Sequence, residues 1–252
     1  MQYLPFVLSG GGVRGAAHLG VLRAFEEHGV RPRAISGTSA GALAGALIAD
    51  GRSPVEVMDL LQAELKRSGF MRRPTLASKR IEAFLERVLR HHRFEDLPVP
   101  LFVSATDLEK GGQHIFSTGE LIPALMASCA IPLVFPPVRI EGTYYVDGGI
   151  SNNMPVEPFQ AERDQVVCVH VNPLPAFVPG RSMRRTMDRI WHLNFREMVM
   201  RSARGCHLFV EPAGLSRFTM FELGKLEAIE AIGHTCAAEL LDGKARAPGQ
   251  FP

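Results

Sequence analysis

No apolar run in this 252-residue chain reaches the ~18 to 20 residues that a membrane-spanning helix requires. Nor does the segment Met1–Ser9 carry the basic stretch that opens a secretory signal; its short apolar run reads as a strand. Cysteine is scarce, and Cys129, Cys168, Cys206 and Cys236 stand far apart without a C-x-x-C pair. That spacing excludes a disulfide framework or a zinc site and points to buried free thiols in a reducing compartment. The formal net charge of only +2 gives no ground for nucleic-acid binding, which needs clustered basic residues. Asp59, Asp188 and Asp242 are too scattered for a calcium site, and His91-His92 lacks an i, i+4 partner, so no metal and no cofactor is expected. The 24 glycines and 18 prolines are dispersed, and there is no internal repeat. The expectation is one soluble domain, 1–252, in the cytoplasm, with a transient contact to the inner membrane face left open.

What is present is an alternation of short strands, glycine turns and helices. Tyr3–Leu8 reads as a buried strand, Ala16–Glu27 as a helix stopped by His28-Gly29, Arg33–Gly37 as a second strand and Ser39–Asp50 as a second helix. This order predicts a three-layer α/β/α domain with a mostly parallel central sheet. Ser53-Pro54 opens a third helix, and Ser78–Arg90 reads as a fourth. Pro100–Ala105 and Gln113–Ser117 read as strands around a turn in which Asp107 and Glu109 look solvated. After a helix over Glu120–Cys129 and a proline-broken loop, a hairpin around Glu141-Gly142 delivers the chain to Asp147. Gln165–Val171 and His207–Val210 read as strands, Ser182–Arg204 and Phe221–Leu240 as helices, 172–181 as a flap loop and 243–252 as a frayed tail. The basic residues of the 181–204 stretch, interleaved with Trp191 and several methionines, fit a solvated outer face. A helix lying on anionic lipid is the competing reading.

Three stretches carry chemistry. Gly37-Thr38-Ser39-Ala40-Gly41 matches G-x-S-x-G, which places a serine on a sharp strand-to-helix turn at a helix N-terminus. Gly10, Gly12 and Gly15 satisfy G-x-G-x-x-G between a strand and a helix. A dinucleotide site would also need an acid at the end of the next strand, where Ser36–Ser39 stands instead, and a P-loop would need Lys-Ser/Thr. What remains is a run of backbone amides aimed at an anion; beside a serine nucleophile that anion is the oxyanion of acyl transfer. A glycine turn kept for tight helix–sheet packing competes with this. Arg14 either orders the loop and faces substrate or is a solvated helix-start residue, and His18 packs near the loop. The third stretch is Asp147-Gly148-Gly149, otherwise an ordinary Asp-Gly turn. The serine needs a base. His170, His207 and His234 are candidates for a Ser-His-Asp triad, although Ser39 follows only two strands, earlier than a hydrolase elbow usually falls.

In this order the three stretches resemble the signatures of the patatin-like phospholipase family. Ser128–Pro132 with Phe135–Pro137, and Asn153–Pro155, fit the same pattern, and the resemblance covers Phe6 to about Pro158. It implies a Ser–Asp dyad: Ser39 as nucleophile, Asp147 as its base, and amides of Gly11, Gly12 and Val13 as the oxyanion hole. Gly10, Arg14, Gly15, Gly37, Gly41, Gly148 and Gly149 would support them, and the substrate would be a lipid acyl ester, phospholipid or lysophospholipid. A free aspartate titrates near ~3.9, so such a base needs a desolvated site. A regulatory binding protein that keeps this fold with little turnover is the reading from another class. Oligomeric state has no signal in the sequence.

Overall fold

The computed structural model describes residues 1–68, 77–174, 193, 195–220 and 222–243. Eight strands form one sheet: β1 (Gln2–Leu8), β2 (Val30–Thr38), β3 (Leu101–Asp107), β4 (Gly112–Phe116), β5 (Val138–Ile140), β6 (Thr143–Asp147), β7 (Val167–Val169) and β8 (Leu208–Val210). The path runs β5-β6-β3-β2-β1-β7-β8, with β4 paired to β3. The β3–β2–β1–β7–β8 body is parallel, while β4 and β6 pair with β3, and β5 with β6, in antiparallel fashion.

Side chains alternate along the central strands and feed two separate cores, one on each face. Phe6 and Leu8 of β1, Ile35 of β2 and Val167 and Val169 of β7 join the larger core. It is covered by α1 (Ala16–Glu27), α2 (Ala40–Ala49), α3 (Pro54–Ser68), α4 (Ala77–Val88), α5 (Leu121–Ser128) and α7 (Leu226–Leu241). Val7, Ala34, Cys168 and Phe209 point the other way, against Met154, Val156 and Phe159 and against Val199 and Ala203 of α6, residues 195–203. Helices on both faces of a mostly parallel sheet give the expected three layers.

Local chemistry explains the helix starts. At α3, Ser53 Oγ accepts the Glu56 N–H at 3.2 Å while Glu56 Oε2 accepts the Ser53 N–H at 2.8 Å, a reciprocal capping box. At the end of α1 the chain turns through Gly29 at φ 76°. Two expected elements are shorter: the strand over Gln165–Val171 is regular only at Val167–Val169, and the last helix begins at Leu226 after a 3₁₀ turn. Of the helix expected over 182–204, residues 195–203 are helical, and 182–192 with Trp191 lie outside the described residues. So do residues 69–76, 175–181 of the expected flap and the tail from 244 onward.

Several polar readings change. Asp107 is buried, its Oδ1 accepting the N–H groups of Glu109 and Lys110, so the turn is built around it and not solvated. Asp50, also buried, accepts the N–H of Arg90 and of His91 and a bond from His91 Nδ1, which ties α2 to the end of α4. All four cysteines are free, but only Cys129 and Cys168 are buried; Cys206 and Cys236 are partly exposed. Among the described residues no helix is long and apolar enough to cross a membrane, and no group of three or more His, Cys, Asp or Glu side chains could hold a metal ion.

Candidate active site

The site forms where two strands end on one edge of β3. Ile35–Thr38 of β2 pair in parallel with Leu101–Ser104 of β3. Ala105–Asp107 then pair with Asp147–Tyr145 of β6, antiparallel, while β4 occupies the opposite edge along Val103–Asp107. The two strands therefore run toward each other on one edge and stop at adjacent rungs, Thr38 on Ser104 and Asp147 on Ala105. The residue after Thr38 is Ser39. Serine and carboxylate are brought together by strand pairing alone.

Ser39 sits at the junction of β2 and α2 with φ 52° and ψ −122°, a conformation L residues rarely take and one that costs on the order of 1–3 kcal/mol. Its neighbours hold it there. A Cβ on Gly37 would lie 2.7 Å from the Ala42 nitrogen, and one on Gly41 would overlap the Leu8 carbonyl, so only glycine lets α2 fold back this tightly on β1. The Ser39 N–H donates to Ser128 Oγ at 2.8 Å, and that hydroxyl donates to the Ser104 carbonyl at 2.6 Å. Ser128 thus clamps the elbow to β3.

Asp147 is buried and opens into the same cavity as Ser39. Its Oδ1 accepts the Gly149 N–H at 2.8 Å. Burial raises the carboxyl from 3.8 to about 6, against the opposing pull of the Ser39 side chain and the Gly149 N–H. The segment after Asp147 is sewn onto β2: Ser36 Oγ donates to the Pro155 carbonyl at 2.7 Å and Thr38 Oγ1 to the Asn152 carbonyl at 3.2 Å. A Cβ on Gly148 would overlap the Ser104 carbonyl, so that glycine is required for the approach.

The glycine loop lies alongside. Gly10 donates its N–H to Asn153 Oδ1 at 2.9 Å, and its carbonyl accepts from Asn172 Nδ2 at 2.6 Å. Two asparagines therefore fasten the loop where a Cβ on Gly10 would lie 3.1 Å from the Ser39 Cβ. Gly12 takes φ 58°, and the N–H groups of Gly11 and Gly12 meet no protein acceptor among the described residues. Val13 is different. Its N–H donates to the Met220 carbonyl at 3.0 Å, so it is already engaged and does not serve as an oxyanion donor. Gly15 packs its α-carbon against Ala40, setting α1 against α2.

Ser39, Asp147, Gly10, Gly11 and Gly12 open into one cavity of about 320 Å³. Its walls include Ile131, Ile150, Phe195 and Met220, and also Arg14, which is buried and faces the cavity, not solvent. Of the three histidines considered for a triad, only His170 reaches the cavity. Its Nδ1 lies 2.8 Å from Glu211 Oε1, which also pairs with Arg196; burial lowers the His170 pKa against the opposing pull of Glu211. His207 is exposed, and His234 binds Glu27 on the surface. Neither lines the cavity.

His18 is fully buried beneath the loop, with Nε2 2.8 Å from the Ser9 carbonyl and Nδ1 without a hydrogen-bond partner among the described residues. Burial, the dominant cause, lowers its pKa from 6.5 to about 4. The folded state then binds this proton less readily than the unfolded chain does. Its stabilising share is full above pH 6.5 and falls by about 3 kcal/mol as the pH drops to 4, since a tenfold change in proton affinity is worth about 1.4 kcal/mol. Urea titrations across this range should show a flatter pH dependence for His18→Gln than for the unaltered chain. Equal slopes would contradict the assignment.

A serine on a strand-to-helix elbow of a helix-covered, mostly parallel sheet is the arrangement of an α/β hydrolase. The chain belongs to the Patatin-like phospholipase family, whose model matches residues 6–159, and that is a family of hydrolases. An uncharacterized NTE family protein of Mycobacterium bovis is 33% identical over 200 residues, covering 75% of this chain and 54% of that protein. Patatin-like phospholipase domain-containing protein 6 of Mus musculus is 31% identical over 166 residues, covering 61% of this chain and 12% of that protein. The chain thus spans about half of the first relative and a small part of the second. The crystal structure of VipD from Legionella pneumophila superposes with a TM-score of 0.60 at 18% identity, over 96% of this chain and 67% of that one, a likeness of fold.

Residues that motif reading does not single out complete the site. Ser128 and Asn153 lie in stretches of the family pattern, but nothing in their type announces a clamp on Ser39 or on Gly10. Asn172, Glu211, Arg196 and Met220 come from beyond the matched region, where no motif marks them.

Proposed function

We propose that this chain hydrolyses lipid acyl esters, phospholipid or lysophospholipid, through an acyl-enzyme on Ser39 with Asp147 as the base. The observation that carries this reading is a buried carboxyl, its pKa raised to about 6, set by strand pairing on the rung next to the serine elbow and opening into the same cavity as Ser39. Ser39 Oγ attacks the ester carbonyl while Asp147 takes its proton, and the N–H groups of Gly11 and Gly12 receive the oxyanion. Collapse of the tetrahedral intermediate expels the alcohol, which leaves with the proton from Asp147. Water then gives a proton to Asp147, attacks the acyl-enzyme and releases the fatty acid, and the proton returns to Ser39. An apolar cavity suits the acyl chain and excludes competing water.

A second reading, a Ser39–His170–Glu211 triad, is favoured by the presence of His170 in the same cavity with its Nδ1 held by Glu211. Against it, strand pairing puts Asp147, and not His170, on the rung next to the serine elbow. Fluorophosphonate labelling separates these readings, with turnover of a lipid panel measured in parallel. The dyad requires an adduct at Ser39, absent in Ser39→Ala and retained in His170→Ala. An adduct lost with His170 would favour the triad, and no adduct in the unaltered chain would favour a regulatory binding protein.

A further inference from the structure

Beside the cavity runs Ile131-Pro132-Leu133-Val134-Phe135-Pro136-Pro137, seven residues without one polar side chain. Ile131 and Pro132 line the cavity that holds Ser39. Phe135, Pro136 and Pro137 line a small second hollow with Met126 and Cys129, which roots the loop in the protein. Between these anchors the N–H groups of Val134 and Phe135 both bond to the Ile131 carbonyl, at 3.1 and 2.9 Å, forming a tight turn. The turn puts Leu133 at φ 69° and drives its side chain outward to a relative exposure of 107%. Val134 is exposed beside it, and Ile150, 47% exposed, continues the apolar rim to the cavity wall.

A leucine is a poor residue for this position on two counts: it is disfavoured in the left-handed region, and it leaves its whole apolar surface in water. Asparagine or glycine would fit the turn without either cost. An apolar projection held rigidly at the mouth of an apolar cavity is a surface made for something else apolar. The same segment continues into β5, where the Arg139 guanidinium lies 5.6 Å above the exposed Tyr144 ring. A cation stacked on an exposed aromatic ring is a pairing that settles at the boundary of a bilayer.

We propose that Leu133 and Val134 insert into a lipid bilayer and seat the cavity mouth on it, so that an acyl chain passes from membrane to Ser39 along Ile131, Pro132 and Ile150. The occupant is a lipid surface because the rim is continuous with the cavity; this rests on the reading of the site as a lipid acyl hydrolase. The wall of the channel is then never exposed to water during transfer.

The test separates docking from chemistry. In a Ser39→Ala background, sedimentation with vesicles of phosphatidylcholine and phosphatidylglycerol measures binding alone. Adding Leu133→Asn with Val134→Ser, which suits the turn, should lower vesicle binding about tenfold, and Leu133→Trp should raise it. With Ser39 intact, the double variant should lose turnover on vesicles by a similar factor while keeping turnover of soluble p-nitrophenyl butyrate. Unchanged sedimentation would overturn the proposal, as would a change in oligomeric state with vesicle binding intact, which would make the rim a contact between copies. An unaltered chain that binds vesicles but hydrolyses neither substrate would overturn the acyl-hydrolase reading and leave the docking surface standing.

Discussion

Asp147→Asn should abolish turnover and make the protein more stable. Loss of a general base costs typically about 10²–10⁴ in rate, and asparagine keeps the acceptor for the Gly149 N–H while losing the ability to take a proton. The stability gain follows from the direction in which burial moves the carboxyl. Raised from 3.8 to about 6, it holds its proton more tightly in the folded state than in the unfolded chain. Ionising it therefore destabilises the fold progressively as pH rises from about 4 to about 6. A roughly hundredfold difference in proton affinity corresponds to about 3 kcal/mol, present in full above pH 6. Asp147→Asn removes that cost, which for a chain of this size is roughly 6–12 °C in Tm at about pH 7. At about pH 4 both proteins are neutral at this position and the difference should vanish. Turnover of the unaltered chain should fall as pH drops through about 6, because the base must be ionised. Calorimetry at the two pH values, with a pH–rate profile, checks all three. A variant less stable in the neutral range would contradict the desolvated carboxyl.

The site is legible in the sequence in proportion to how local its causes are. The elbow at Gly37–Gly41 and the glycine loop at Gly10–Gly15 can be read because turns, close approach and helix starts are set by neighbouring residues. Asp147 can be placed only by resemblance, since an Asp-Gly turn has many uses. What pairs it with Ser39 is the meeting of β2 and β6, distant in sequence, on adjacent rungs of β3. No periodicity encodes that register. The same applies to the Val13 amide, which belongs to the glycine run in sequence but is claimed by the carbonyl of Met220. His170 qualifies as a base by its strand-end position, yet the carboxylate it meets is Glu211, just past the adjoining strand β8, and not Asp147. The solvated reading of Arg14 fails for a related reason. Position at a helix start describes the helix, and the loops folded over that start decide whether it meets water.

The last helix hides a further requirement. In the sequence, Gly20 in α1 and Gly233 in α7 give no sign of being anything but weak helix formers. In the fold they are where the two helices touch backbone to backbone: a Cβ on Gly233 would overlap the Ala17 carbonyl, and one on Gly20 the Glu230 carbonyl. No side chain can move aside to relieve such an overlap, so the helices would have to separate. Gly233→Leu should therefore cost at least about 3 kcal/mol, at the top of the range for overpacked cores. The damage would not stay at the far side of the molecule. α1 starts directly from the glycine loop, and the loop is held from the other side by the bond from Val13 to Met220, just ahead of α7. Shifting α1 against α7 moves the Gly11 and Gly12 amides relative to Ser39, which is fixed separately by Ser128. Gly233→Ala, a smaller intrusion, should then lower kcat on a soluble ester severalfold under conditions where the protein is still folded, while KM changes little. A Gly233→Leu variant with unchanged urea midpoint would show that the helices can part freely, and the loop would not depend on their packing.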